Sequence, residues 1–223
     1  MLEALGFELS LPPERIEESI DELGFAFLFA QAHHPAMKHA APVRKELATR
    51  TVFNVLGPLT NPAGARAQVV GVYAPEIART VAEALLQLDA RRAYVVHGAG
   101  GIDELSPAGP NLVCEVEGGR VREYQLDPED LGIPRCDPSE LRGGDPETNA
   151  RALRDVIDGI DGIDDKSGHR SAVLLNAAGA IAAAGRAADL REGIEVAREA
   201  IDSGAAEVRL DDLIAFSRKA VAP

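Results

Sequence analysis

Tryptophan is absent from the 223 residues, and aromatic side chains make up only 4% of them. With few large rings and abundant glycine and alanine, the chain suits close packing of helices on a sheet. Cysteine is almost missing. Cys114 and Cys136 form no CxxC pair and no disulfide framework, which points to a reducing, cytoplasmic setting. No apolar run reaches the roughly 18 residues of a membrane span, and no basic-then-apolar leader is visible. No membrane association is therefore expected. Positive charge is also scarce: 23 Lys and Arg against 36 Asp and Glu leave a net charge of −13. That excludes a nucleic-acid partner, because phosphate binding needs a basic surface, and it favours solubility. No internal repeat or low-complexity tract interrupts the chain, whose length suits one sizeable core.

The cations that are present cluster. His33, His34, Lys38, His39 and Arg44 fall within twelve residues, in HHPAMKHAAPVR. Read as a helix, His34, Lys38, His39 and Arg44 lie near one face at roughly 100° per residue. Such a stripe either receives a carboxylate, for which the planar fork of Arg44 is matched, or is a solvated basic face beside Glu46. No zinc spacing is present, because His34 and His39 have no cysteine or second acidic pair nearby. A segment ending in Gly57-Pro58-Leu59-Thr60-Asn61-Pro62 follows, a loop held by glycine and two prolines.

Elsewhere the pattern alternates between strands and helices. Met1 to Gly6 reads as the last turn of a helix. Pro12-Pro13-Glu14 starts a helix with Ile16, Ile20 and Leu23 on one face, stopped by Gly24, and Phe25–Phe29 is expected to be a short buried strand. Ala67–Tyr73 and Ala93–His97 are expected strands, joined by a helix opened at Pro75 with Ile77, Val81, Ala82, Leu85 and Leu88 on one face. This order predicts a parallel crossover, and ligands in such sheets sit beyond the carboxyl ends of the strands, here at Gly98 to Glu104. Leu112–Val116 and Val121–Tyr124 flank Gly118-Gly119 as a hairpin. Asp145-Pro146-Glu147 has the order of a helix start; it makes a cap the better reading of Arg142-Gly143-Gly144-Asp145 than a phosphate loop. Asp155 to Gly168 reads as a loop, and three helices follow: Ala172–Ala184, apolar almost all round; one marked by Leu190, Ile194, Ala197 and Ile201; and a last from about Leu210 to Ala220. The expected fold class is α/β, a mainly parallel sheet with flanking helices and a β-hairpin.

Asp103 and Glu104 are adjacent carboxylates in the loop after the second of these strands. They are either a solvated acidic turn or ligands for a hard cation, since magnesium prefers a few carboxylates completed by waters and phosphate oxygens. Both could face one ion only if the backbone turns there, which Gly100-Gly101 permits.

HHPAMKHAAPVR followed by RTVFNVLGPLTNP resembles the anthranilate phosphoribosyltransferase family. The likeness continues through Ile102-Asp103-Glu104-Leu105-Ser106, Arg142-Gly143-Gly144-Asp145-Pro146 and Leu175-Asn176-Ala177-Ala178, and so covers essentially the whole chain. It implies the large-domain fold of the nucleoside phosphorylase/phosphoribosyltransferase superfamily over residues 1–223. It also implies transfer of the phosphoribosyl group of 5-phosphoribosyl 1-diphosphate to anthranilate in tryptophan biosynthesis. On that resemblance, Arg44, His34 and Pro58 contact anthranilate, Asp103 and Glu104 hold Mg2+, and the enzyme is a homodimer.

The same resemblance implies segments that lie upstream of Met1 in relatives: a small helical domain, a glycine-rich pyrophosphate turn, a Lys-His-Gly-Asn stretch and a Ser-rich loop. Those segments hold most contacts to the donor, and Gly98-Ala99-Gly100-Gly101 does not replace them. The chain is thus expected to be a domain truncated on its N-terminal side, of low stability and impaired or inactive alone, with a separate N-terminal fragment as one conceivable partner. Two other readings remain open at this point: a pyrimidine-nucleoside phosphorylase-like enzyme, and a non-catalytic binding domain.

Overall fold

The computed structural model describes residues 1–29, 46, 53–159 and 167–219. Helix α1 is Pro13–Leu23, and the short α2 is Phe53–Leu59. Strand β1 (Ala67–Gly71) leads through α3 (Ala78–Gln87) to β2 (Arg92–His97). Strands β3 (Asn111–Glu117) and β4 (Arg120–Leu126) follow, then four helices: α4 (Pro146–Ile157), α5 (Gly168–Ala183), α6 (Leu190–Asp202) and α7 (Ala205–Lys219).

The four strands form one sheet in the order β1-β2-β3-β4. β1 and β2 pair in parallel, with Val70 opposite Val95, as the strand–helix–strand order predicts. The next two pairings are antiparallel. Among the described residues the sheet is therefore mixed, with more antiparallel than parallel pairing, rather than mainly parallel. The cause is local. Gly118 and Gly119 both take positive φ, 58° and 75°, the requirement of a two-residue hairpin turn matched to strand twist. The chain also reverses between β2 and β3, over Gly98 to Pro110, with no helix to carry it back for a parallel return.

Both faces of the sheet are covered. Side chains alternate along β2: Ala93 and Val95 join Val70, Cys114, Val116 and the α3 residues Val81, Ala82 and Leu85. Tyr94 and Val96 join Val113 and the α5–α6 residues Leu174, Leu175, Ala178, Ile194 and Ala197 on the other side. Each fully buried Val or Leu of these layers contributes about 1.5–3 kcal/mol relative to exposure. The α5 helix is buried along much of its length, as its all-round apolar pattern requires. It comes so close to α6 that a β-carbon on Gly193 would lie 2.7 Å from the Ala178 carbonyl oxygen. One charged group is buried in the sheet. Glu115, 4% exposed at its side chain, accepts hydrogen bonds from Arg92 at 3.2 Å and Arg122 at 2.5 Å. Arg92 also donates to the Ala182 and Ala188 carbonyls, tying the sheet to the end of α5 and to the connection that follows it.

Helix ends fall where their signals lie. Gly24 caps α1 at φ 72° and donates to the Ile20 carbonyl. Asp145 caps α4, its carboxylate accepting from the Thr148 amide at 2.7 Å. Gly144 is bound through its amide and its carbonyl to the Asn149 carboxamide, so the Arg142–Asp145 segment is a cap. Residues 1–6 form a turn in which Phe7 donates to the Leu2 carbonyl and Gly6 to that of Glu3, the bond pattern of a helix C-terminus.

Three expectations need correcting. Residues 25–29 are not a strand: Phe25 is 50% exposed, and Phe27 packs edge-on against Phe7 at 6.2 Å. That ring pair belongs to a third apolar cluster, Phe7, Leu11, Ile16, Leu213 and Ile214, where α1 meets α7. Ala26, Phe27 and Leu28 pack into this cluster, not on a sheet edge. Helix α7 begins at Ala205, earlier than Leu210. Leu88 is 58% exposed, because α3 ends at Gln87 and the chain turns through Asp89 at φ 60°.

Candidate functional site

The carboxyl end of β1 opens on a cleft of about 190 Å³ lined by α2, the β1 end, the start of α3 and the acidic loop. Pro58 and Asp103 both line it, along with Val72, Tyr73 and Ile77. Two residues singled out for different roles, 45 positions apart in the chain, are thus brought onto one cleft. Glu104 is exposed beside Asp103. His34 and Arg44 lie outside the described residues. Asn61 serves a local turn, its side chain accepting from the Ala63 amide at 2.9 Å.

The acidic loop is built by backbone fitting. After β2 the chain doubles back between Gly98 and Ile102, where the Gly98 amide donates to the Ile102 carbonyl at 2.8 Å. Gly100 and Gly101 take φ of 85° and 79° to make the reversal. The Asp103 carbonyl then packs onto Gly71, the last residue of β1, and the Glu104 carbonyl onto Gly98. A β-carbon at either glycine would overlap those carbonyls. Removing the side chain lets the loop lie directly on the strand ends.

Two asparagines complete the support. Asn176, on α5, accepts from the Leu105 amide at 2.9 Å and donates to the Leu105 carbonyl at 2.8 Å. Asn111, wholly buried at the start of β3, accepts from the Ser106 amide at 2.7 Å and donates to the Ser106 and Gly109 carbonyls at 3.0 Å. His97 Nδ1 donates to the Val72 carbonyl at 2.8 Å, holding the chain just past β1. The backbone of residues 103–106 is therefore held, while the side chains of Asp103 and Glu104 remain exposed to solvent.

Among the described residues no three His, Cys, Asp or Glu side chains converge as a metal cluster. Two adjacent exposed carboxylates do suit magnesium. That ion binds through one or two carboxylates and fills the rest of its octahedron with waters and phosphate oxygens. They do not suit zinc or calcium, which need more protein ligands.

Gly71, Gly98, Asn111 and Asn176 were not singled out by sequence reasoning. Gly71 had a signal, a lone glycine inside the apolar run AQVVGVY, which marks a close backbone approach. Asn176 had one also, as the single polar residue in LLNAAGAIAAA.

A family model described as "Glycosyl transferase family, a/b domain" matches residues 1–207, and the chain belongs to that family. Among curated proteins it is 50% identical to the anthranilate phosphoribosyltransferase of Rubrobacter xylanophilus over 98% of this chain and 63% of the relative. It is 49% identical to that of Parvibaculum lavamentivorans over 96% of this chain and 61% of the relative. Among solved structures, the crystal structure of anthranilate phosphoribosyltransferase from Thermus thermophilus is similar with a TM-score of 0.89 and 50% identity, covering 97% of this chain and 63% of that one. The Saccharomyces cerevisiae enzyme in complex with PRPP and Mg gives a TM-score of 0.88 at 29% identity, covering 98% of this chain and 60% of that one. The chain thus spans a little under two thirds of the length of these relatives. Among the described residues no helix is long and apolar enough to cross a membrane.

Proposed function

We propose that this chain carries the acceptor and metal side of an anthranilate phosphoribosyltransferase. The reaction transfers the phosphoribosyl group of 5-phosphoribosyl 1-diphosphate to anthranilate, giving N-(5-phosphoribosyl)anthranilate and pyrophosphate, a step of tryptophan biosynthesis in the cytoplasm. The observation that carries the reading is the meeting of Pro58 and Asp103 on one cleft at the carboxyl end of β1, in a chain 50% identical to a relative of that name.

In this transfer the bond from ribose C1′ to the pyrophosphate oxygen breaks as the anthranilate nitrogen forms its own bond to C1′. Positive charge grows on the ribose and negative charge on the leaving group. Asp103 and Glu104 would hold Mg2+; when bound, the ion offsets charge on the departing pyrophosphate. Arg44 and His34 would grip the anthranilate carboxylate, the first through a two-point charged contact. Pro58 would form a wall against the aromatic ring. Those contacts orient the amine toward C1′, and orientation is a large share of the acceleration in a reaction whose nucleophile needs no strong base. A homodimer is the proposed assembly.

The test is a graft. Met1–Pro223 replaces the matching segment of the Thermus thermophilus enzyme, and the purified hybrid is supplied with anthranilate, 5-phosphoribosyl 1-diphosphate and Mg2+. Formation of phosphoribosylanthranilate is the expected result. A folded hybrid that makes no such product, or that instead cleaves pyrimidine nucleosides with phosphate, overturns the reading.

A further inference from the structure

The α5 helix is apolar from Leu174 to Ala183 except at Asn176, and asparagine is unfavourable in a helix interior. Both ends of its carboxamide are engaged. Oδ1 accepts from the Leu105 amide, and Nδ2 donates to the Leu105 carbonyl and, within the helix, to that of Ala172 at 2.9 Å. Leu105 is 1% exposed and lies outside the named strands. One side chain therefore supplies both bonds that a neighbouring strand would have given. The residue so held comes immediately after Glu104, whose own backbone rests on Gly98, as that of Asp103 rests on Gly71.

We infer that Asn176 is a positioning residue for the metal site: it acts through the Leu105 backbone to hold Asp103 and Glu104 in the arrangement that binds a divalent cation. This rests on the metal assignment proposed above. Two exposed carboxylates with no third ligand among the described residues lose affinity whenever their backbone can wander. A rigid anchor on the residue next to them limits that freedom. Partners behind metal ligands commonly set about 10- to 100-fold in metal affinity.

The test uses the ¹⁵N-labelled 223-residue chain and Mn2+ as a paramagnetic probe. In the unaltered chain, Mn2+ should broaden the amide signals of Gly100 to Ser106 selectively. Asn176→Ala, or the near-isosteric Asn176→Leu, should raise the apparent Kd for that broadening about 10-fold and speed exchange of the Leu105 amide. Ile194→Val, a core change on α6, provides a comparison in which stability falls and Mn2+ affinity stays. Unchanged affinity in a folded Asn176 variant overturns the inference and leaves the metal site standing. No selective broadening in the unaltered chain overturns both. Failure of both Asn176 variants to fold also overturns it, because the residue would then support the whole domain and not the loop.

Discussion

The carbonyl of Asp103 occupies the space that a side chain on Gly71 would need. The end of β1 and the acidic loop after β2 thus share a surface at the backbone level. That contact sets Asp103 on the same cleft as Pro58. It also explains why the run AQVVGVY carries a glycine, which weakens a strand by itself.

Gly71→Ala should therefore lift the loop off the strand. Overpacking of this kind costs about 1–3 kcal/mol. Urea denaturation should show a lower midpoint, and the amide signals of residues 100–104 should move more than those of α6. An unchanged midpoint with an unchanged loop spectrum would mean that the contact yields freely.

The buried Glu115 should give the fold an acid limit. Burial pushes its carboxyl pKa up, but hydrogen bonds from Arg122 and Arg92 outweigh that and hold it below the usual range. A carboxyl depressed in the folded state binds protons more readily when unfolded. Its contribution to stability is therefore fully present above the unfolded value of about 4.3 and is lost as pH falls through the folded value. Glu115→Gln should cost about 1.5–3 kcal/mol at neutral pH. The gap between variant and parent in melting temperature should close below about pH 4. A gap that stays constant with pH would show that the charge contributes nothing.

Burial and the charge of Glu115 together push the Tyr124 hydroxyl up to about 12. It should remain protonated well into alkaline solution, and a spectrophotometric titration of a Tyr124→Phe variant against the parent should locate the missing transition there. A difference centred near the ordinary tyrosine value of about 10 would contradict the burial seen.

In the grafted enzyme, Arg44→Ala should chiefly raise the KM for anthranilate. Losing a two-point charged contact is worth about 1.5–3 kcal/mol, or roughly 10- to 150-fold. Steady-state kinetics with anthranilate varied at saturating donor decides this, and an unaltered KM removes Arg44 from the acceptor site.

The pair Asp103→Asn with Glu104→Gln should lower the activity of the same hybrid and move its Mg2+ requirement upward. Rate measured against Mg2+ concentration separates the outcomes. If the two curves coincide, these carboxylates are a solvated acidic turn.

What the sequence determined alone were features whose causes lie within a few residues of one another. Asp145-Pro146 starts α4, Gly24 stops α1, and Gly118-Gly119 turns the hairpin, because capping bonds and positive φ are decided locally. The helical spacing of Val81, Ala82 and Leu85 likewise determined which face of α3 is buried. Pairing was different. The apolar run Phe25–Phe29 is compatible with strand or loop, and it took the cluster where α1 meets α7 to place Phe27 against Phe7. Whether β2 and β3 would run parallel also depended on the intervening chain turning back without a helix. The acidic pair Asp103-Glu104 was legible, and Gly71 and Asn176 stood out as a lone glycine and a lone polar residue in apolar runs, but which groups they meet was not legible. Gly71, Gly98 and Asn176 meet the loop through backbone atoms, up to 71 positions apart in the case of Asn176 and Leu105. Backbone groups are the same in every residue, so a contact to one leaves no mark at its own position in the sequence, and only folding reveals which carbonyl a distant glycine or asparagine was selected to meet.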